Sequence, residues 1–270
     1  MSSSGSPACA SGSTGTIASS EGRLPLSVVI PTLNEASNIA ACVASAALAD
    51  EVLVADAGST DGTVEAARAA GATVLERTGP TIAAQRNAAI AAARHPWIFA
   101  LDADERITPE LAAELRAVLA APAHAAYRVR RRNYYLGVEQ TRGGWARDWV
   151  VRLFGRERRY VERRVHDGLE PVEDTGALTN TLLHHPYRTL RHHLEKLQRY
   201  AEWGAEDLWD RGVRATWTDL SLRPLGRFVK AYLLGGGVLD GRIGLVQAGL
   251  GAYAGFLKYA YLWAREQKQD

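Results

Sequence analysis

Short apolar, β-branched runs alternate with helix-like segments over the first hundred residues, and this alternation most constrains the fold. The runs cover residues 26–30, 51–55, 72–75 and 97–100. Between them, apolar residues recur at helical spacing or follow helix-capping residues. Strands that alternate with helices favour a parallel sheet covered on both faces. The predicted fold class is therefore α/β, with a Rossmann-like, mostly parallel sheet.

Acidic residues follow three of these strands: Glu35, Asp56 and Asp102. In parallel sheets, ligands bind beyond the carboxyl ends of the strands, near the switch in strand order. Asp102 and Asp104 form a carboxylate pair one residue apart, and such hard oxygen ligands suit Mg²⁺ or Mn²⁺. The sequence therefore predicts a divalent-metal and diphosphate site at this edge. The alternative for an Asp-x-Asp pair is a solvated turn or helix cap.

Composition narrows the class of protein further. Residues 1–22 are rich in small and polar residues, which predicts a disordered tail. With only two cysteines, Cys9 and Cys42, the chain has no disulfide framework, and a reducing compartment is favoured. A net charge of +2 and the absence of a recognisable binding module disfavour nucleic acid as a partner. No uncharged apolar run reaches the roughly 18–20 residues that a bilayer-spanning helix needs.

The second half of the sequence predicts strands over residues 127–133 and 149–154, followed by an amphipathic helix from Thr189. The glycine-broken apolar tail from Leu225 to Trp263 has two interpretations. It lies on a membrane surface, with arginines and lysines at the headgroups, or it packs as a helical hairpin on the catalytic domain or a second subunit. The expected division is residues 1–22, 23–187 and 188–270, the last being the helical, membrane-associating part.

Four blocks in order resemble glycosyltransferase family 2, which has the GT-A fold. They are residues 29–35 (VIPTLNE), 54–63 (VADAGSTDGT), 84–87 (AQRN) and 102–104 (DAD). Residues 133–137, 143–145, 152–154 and 165–167 more loosely resemble the bacterial enzymes that add a sugar to the lipopolysaccharide core. The resemblance implies inverting transfer of a hexose such as glucose from a UDP-sugar to a cell-envelope glycolipid. It also implies Mg²⁺ or Mn²⁺. The cysteine usage and the apolar tail together predict a cytoplasmic position on the inner face of the membrane.

The resemblance also implies roles for individual residues. Asp56 accepts the imide hydrogen of uracil, and Arg86 reaches a phosphate. Asp102 holds the ribose or a metal-bound water, and Asp104 ligates the metal. The residues that shape the floor under base and ribose are Pro31, Thr32 and Glu35, and the candidate that completes the metal coordination is His166.

Each of these roles has a structural alternative. Glu35 starts a helix, because carboxylates favour that end of the helix dipole. Asp56 forms a turn before Gly58. Arg86 is a solvated helix arginine, and His166 is a structural histidine.

An inverting transferase needs a base that takes the proton from the acceptor hydroxyl. Asp148 is the candidate, because it stands four residues before Arg152, where the wider family places an acidic residue. The family usually has a Glu-Asp pair there, whereas this chain has Arg147 and Asp148. Asp167 is the second candidate, and a surface aspartate is the structural alternative for Asp148.

The arginines between residues 128 and 164 have two interpretations of equal weight. They form an electropositive rim for a phosphorylated acceptor, or they are the charged outer faces of two solvated strands.

Two other functions fit parts of this pattern. A sugar nucleotidyltransferase also uses paired carboxylates on an α/β fold, but it usually carries a glycine-rich, lysine-bearing loop after its first strand, where this chain has residues 31–35 (PTLNE). A non-catalytic nucleotide-sugar-binding membrane scaffold needs the nucleotide pocket but no base, so it differs at Asp148. The sequence leaves the donor sugar, the acceptor and the oligomeric state open.

Overall fold

A computed structural model describes residues 22–141, 145, 148–161, 168–187 and 189–267. Its first half has the predicted alternation of strands and helices. The elements are β1 (Leu24–Thr32), α1 (Ala36–Ser45), β2 (Ala49–Asp56), α2 (Thr63–Ala69), β3 (Thr73–Leu75), α3 (Ile82–Ala92), β4 (Trp97–Ala100), β5 (Glu105–Ile107) and α4 (Pro109–Ala120). The four strands expected from the apolar runs are therefore confirmed, while β5 and α4 were not predicted.

The second half adds strands and then only helices. The strands are β6 (Ala126–Tyr135), β7 (Val138–Glu139), β8 (Trp149–Gly155), β9 (Tyr160–Val161), β10 (Gly168–Leu169) and β11 (Thr175–Tyr187). The helices are α5 (Leu190–Asp210), α6 (Trp217–Leu220), α7 (Leu222–Val229) and α8 (Gly241–Glu266), with a π-helical turn at Lys230–Leu234 and a 3₁₀ turn at Gly237–Asp240 between the last two.

The main sheet is mixed over its full width, with strand order β3-β2-β1-β4-β8-β6-β11-β5 and β7 paired to β6. The first four strands in this order are parallel, as expected. β8 is antiparallel to both of its neighbours, β4 and β6, and β5 is antiparallel to β11. The expectation of a mostly parallel sheet therefore holds for the first half, whereas in the second half β6 and β11 are parallel and the other described pairs are antiparallel. Antiparallel strands can follow each other through short connections, whereas a parallel pair needs a crossover.

Helices cover both faces of the sheet and create two apolar layers. On one face, Ile39 of α1 and Leu111 of α4 pack with Val28 and Ile30 of β1. On the other face, Ile90 of α3 packs with neighbouring strand residues. The strands are therefore covered on both faces, and the carboxyl ends of the parallel strands β1 to β4 lie at one edge of the sheet.

The C-terminal helices pack on one another and on the sheet through α5. Ala205 of α5 contacts Tyr259 and Leu262 of α8 in a third apolar cluster. The tail is less broken than expected, because α8 runs uninterrupted for 26 residues. A Cβ at Gly244 would collide with the Gly237 carbonyl, so this glycine permits close approach rather than a helix break. Among the described helices, none has both the length and the hydropathy needed to cross a bilayer.

Candidate active site

A cleft of about 2810 Å³ opens where β1 and β4 end. It is lined by seven of the residues predicted from the sequence: Pro31, Thr32, Glu35, Arg86, Asp102, Asp104 and Asp148. His166 and Asp167 lie outside the described residues. The cleft continues between α5, α7 and α8, so the C-terminal helices form part of its wall.

Asp102 lies at the centre of a network of buried charges. One carboxylate oxygen accepts a hydrogen bond from Arg86 at 2.5 Å, and the other accepts one from Arg152 at 2.5 Å. Arg152 also donates to Glu105 at 2.6 Å. Burial raises the pKa of Asp102, but the charges of Arg152 and Arg86 outweigh this effect and hold the pKa well below its usual value. Asp102 is therefore ionised, and its contact with ribose or metal stays a prediction.

Arg86 is not the solvated helix arginine that the structural alternative describes. Its guanidinium is buried on α3, pairs with Asp102 and lies 4.6 Å from the ring centroid of Tyr160. It adds positive potential to the floor of the cleft, and its contact with a phosphate stays a prediction.

Asp104 faces two nitrogen-bearing side chains across the cleft. Lys196 Nζ lies 3.4 Å from one carboxylate oxygen, and His184 Nε2 lies 3.6 Å from the other. Burial raises the pKa of Asp104, but the charge of Lys196 outweighs it, so the pKa is lowered. In turn, Asp104 raises the pKa of Lys196 despite the opposing effect of burial. Both groups are charged at neutral pH.

Asn133 fixes the orientation of His184. Its amide nitrogen donates to the Trp145 carbonyl at 2.8 Å and to Asp148 at 3.1 Å, which turns its oxygen towards His184 Nδ1 at 2.5 Å. Nδ1 is therefore assigned as the donor, and in the neutral ring Nε2 presents a lone pair to Asp104. A lone pair and a carboxylate oxygen facing each other create a position that suits a cation.

The metal set expected from the sequence, Asp102, Asp104 and His166, is only partly in the described structure. The described residues contain no group of three His, Cys, Asp or Glu side chains that could hold a metal ion. Asp104 and His184 provide two ligands that fit Mg²⁺ or Mn²⁺, since such ions commonly take one or two protein ligands and complete their shell with substrate phosphates and water.

Asp148 is held by Arg131 through two hydrogen bonds of 2.8 and 2.9 Å. Burial raises the pKa of Asp148, but the hydrogen bonds and charge of Arg131 outweigh it and lower the pKa. Arg131 also lies 3.4 Å from the buried carboxylate of Glu105, which links Asp148 to the network around Asp102. Asp148 is thus an oriented, ionised carboxylate on the cleft wall.

Glu35 and Asp56 differ in the number of hydrogen bonds that their carboxylates accept. Glu35 accepts one hydrogen bond from Asn38 at 2.6 Å, and burial raises its pKa. It also immediately precedes α1, as its structural alternative expects. Asp56 accepts four hydrogen bonds, two from Ser59 and one each from Gly58 and Thr32, and so holds the turn after β2. The base-binding role of Asp56 stays a prediction.

Lys196 of α5 lies in the cleft because an aromatic cluster packs the first turns of this helix against the sheet. His193 stacks on Tyr187 at 3.7 Å between ring centroids, and its Nδ1 lies 2.9 Å from the Tyr135 hydroxyl. Burial lowers the pKa of His193 to about 4, so this contact is neutral at physiological pH. Sequence reasoning missed Lys196 and His184, although the His-His-Pro run at 184–186 was a visible signal.

The sequence profile of the family described as Glycosyl transferase family 2 matches residues 27–171. The chain belongs to this family and is a glycosyltransferase with a GT-A-like α/β fold. This assignment favours sugar transfer over the nucleotidyltransferase and scaffold alternatives.

Two relatives align with nearly the whole chain. The lipopolysaccharide core biosynthesis glycosyltransferase LpsC of Rhizobium meliloti (strain 1021) is 31% identical over 252 residues, covering 90% of this chain and 93% of the relative. The uncharacterized glycosyltransferase RP128 of Rickettsia prowazekii (strain Madrid E) is 26% identical over 251 residues, covering 88% and 86%. The similarity therefore includes the C-terminal helices as well as the family domain.

Among solved structures, similarity extends to glucosyl-3-phosphoglycerate synthase from Mycobacterium tuberculosis, crystallised with Mn²⁺, UDP-glucose and phosphoglyceric acid. The TM-score is 0.35 and the sequence identity is 26%. The alignment covers 40% of this chain and 43% of that one, so this chain spans less than half of the solved structure's length.

Proposed function

We propose that this glycosyltransferase moves a hexose from a UDP-sugar to a hydroxyl of a lipopolysaccharide-core type glycolipid, with inversion at the anomeric carbon. The observation that carries the proposal is the convergence of Asp104, Asp148 and Lys196 on one cleft at the carboxyl edge of the sheet. Family membership supplies the reaction class, and the similarity to a lipopolysaccharide core enzyme supports the acceptor class.

Asp104 and His184 are the described residues that would hold Mg²⁺ or Mn²⁺ against the donor diphosphate. When bound, the ion supplies charge neutralisation to the departing nucleoside diphosphate. Lys196 adds a second positive charge beside the same carboxylate. Pro31, Thr32, Glu35, Asp56, Arg86 and Asp102 form the rest of the proposed nucleotide-sugar site.

Asp148 is the proposed base. It is ionised and lines the cleft, and Arg131 fixes the direction of its carboxylate. A fixed carboxylate can accept the proton of an acceptor hydroxyl as the hydroxyl oxygen attacks the sugar. The lowered pKa makes Asp148 a weak base, so the proton has to pass on to water after the transfer.

Asp148→Asn should lower kcat about 10²–10⁴-fold, because the amide keeps the size of the side chain but cannot take a proton. Donor affinity should stay within about threefold of the native value, since Asp148 is assigned to the acceptor side. The measurement is UDP release with Mn²⁺, together with the thermal shift produced by UDP. The matched control is Asp50→Asn, because Asp50 lies near the amino end of β2. Unchanged kcat in Asp148→Asn would contradict this role and assign the base to another residue.

We propose that the C-terminal helices dock on the cytoplasmic leaflet of the membrane, where a glycolipid acceptor is reached. Large apolar side chains are exposed along this region, including Trp217 at 87% and Leu234 at 80%. Lys230 and Arg242 are exposed in the same segment. Exposed apolar residues flanked by cations are typical of helices that lie on an anionic membrane surface.

Replacing both Leu233 and Leu234 with Glu should reduce the fraction bound to phosphatidylcholine–phosphatidylglycerol vesicles more than about tenfold, because two inserted leucines contribute about 3–6 kcal/mol. Vesicle flotation of the full chain measures the bound fraction. Val138→Glu, at a half-exposed valine of β7, is the matched control and should float like the native protein. Equal flotation of all three proteins would contradict membrane docking through this segment.

A further inference from the structure

We propose that Arg227 and Lys258, at the junction of α5, α7 and α8, form a binding site for a phosphate group of the acceptor. Both residues line the same cleft as Asp104 and Asp148. The inference deepens the proposed function and relies on it only for naming the acceptor as the molecule that carries the phosphate.

Two glycines make room for these cations. A Cβ built at Gly255 of α8 would stand 3.0 Å from Cδ of Arg227, and one built at Gly204 of α5 would stand 2.9 Å from Cδ of Lys258. The aliphatic stems therefore lie directly against helix backbone, which keeps the charged ends close to the helix junction. Any larger residue at either position would push a stem away.

Neither cation has an ion-pair partner among the described residues, although the more distant charges of Asp219 and Asp207 partly compensate Lys258. Within the described ranges, no carboxylate is within ion-pair distance of Arg227 or Lys258. The neighbouring acids form ion pairs with other arginines, Asp219 with Arg223 at 2.5 Å and Asp207 with Arg211 at 3.5 Å.

The two cations also repel each other. Burial and the charges of Arg227 and Arg223 lower the pKa of Lys258, whose Nζ lies 4.8 Å from the ring centroid of Tyr259. An anion placed between the two side chains would remove this repulsion, and phosphate offers the charge and the acceptor oxygens that Arg and Lys bind.

The position of the site separates it from the donor diphosphate. Lys196, beside Asp104, and Gly204, beside Lys258, are eight residues apart on α5, which is about 12 Å along the helix axis. A short run of sugar rings spans this distance. The site therefore fits an acceptor whose phosphate is separated from the reacting hydroxyl by a short oligosaccharide. A bilayer headgroup is the less favoured occupant, because Lys258 is half-buried between helices.

Site-specific labelling of Lys258 tests the proposal on the full chain. Because its pKa is lowered, Lys258 should react readily with an amine-acetylating reagent, and peptide mass spectrometry quantifies the rate. Inorganic phosphate at ten times its dissociation constant should slow labelling of Lys258 about tenfold, relative to sodium chloride of equal ionic strength. The exposed Lys230 reports any general effect of salt and should be labelled at the same rate in both.

Variants separate binding from folding. Arg227→Gln should abolish the protection by phosphate, whereas Arg242→Gln, at an exposed arginine of α8, should leave it intact. Gly255→Ala should not lower the melting temperature, because Ala favours a helix, yet it should weaken protection by displacing Arg227. Retained protection in both Arg227→Gln and Gly255→Ala would overturn the proposal.

Two further outcomes would also overturn it. Protection by phosphatidylglycerol vesicles but not by inorganic phosphate would assign the cations to membrane headgroups. Protection by neither would leave no anion site. The assay needs no donor, metal or turnover, so a phosphate site found in a protein without transferase activity would refute the proposed function while leaving this site in place.

Discussion

Asp104→Asn should lower kcat/KM for sugar transfer by about 10³-fold or more, equivalent to about 4 kcal/mol of transition-state stabilisation. Asp104 is the one carboxylate of the strand-end pair that faces both Lys196 and His184. An amide keeps the shape but removes the charge that a divalent cation and the lysine require. The loss should therefore appear in the chemical step, where charge grows on the leaving diphosphate.

The measurement is UDP release from a panel of UDP-sugars with Mg²⁺ or Mn²⁺, on protein whose melting temperature and circular dichroism confirm folding. Asp50→Asn is the control, because Asp50 is half-exposed near the amino end of the parallel strand β2. Asp104→Asn should also lose the metal-dependent part of the thermal shift given by UDP. Full turnover in this variant would remove the metal proposal and the role of Asp104 with it.

Arg152→Met should lower the free energy of unfolding by about 3–5 kcal/mol, the range for breaking a buried ion pair. Arg152 is 4% exposed and bridges Asp102 to Glu105, which is fully buried. Without the guanidinium, the carboxylates of Asp102 and Glu105 remain close together with less positive charge beside them. One of the two must then take up a proton or move out of the core. The loss should fall as pH decreases, because protonation relieves the repulsion between the two carboxylates.

Urea unfolding measures the effect, with Arg94→Met as the control. Arg94 also pairs with a buried carboxylate, that of Glu51 at 2.8 Å, but its own side chain is 68% exposed, so the expected loss is about 1 kcal/mol or less. The double variant Arg152→Met/Glu105→Gln should recover part of the stability, because it removes a buried charge along with its partner. Equal losses for the Arg152 and Arg94 variants would show that burial does not strengthen the Arg152 network.

The parallel half of the sheet was predictable because each strand has a local signal. β1, β2 and β4 are nearly continuous apolar runs, as expected for strands covered on both faces. The long strand β11 was missed, since residues 175–187 mix threonine, asparagine and histidine and end near a proline. Its position between β6 and β5 depends on pairing with strands distant in sequence, which periodicity does not encode.

Some residues of the candidate site were also predictable from the sequence, whereas others were not. Asp102 and Asp104 were identifiable because they follow a strand that ends at the ligand-binding edge of a parallel sheet. Asp148 was identified by resemblance, and it lies in the same cleft. Glu105 and Arg152 were not recognised as a buried pair, because 47 residues separate them along the chain.

By itself, the sequence determined the α/β class, the family and the edge of the sheet where the acids lie, since these follow from local periodicity and short motifs. Only the tertiary structure decided which cations meet those acids. Lys196 reaches Asp104 across 92 residues because α5 docks on the sheet through His193, and Lys258 enters the same cleft because Gly204 lets it lie against α5. Such pairings arise from helix packing, which acts through space and leaves no spacing along the chain to read.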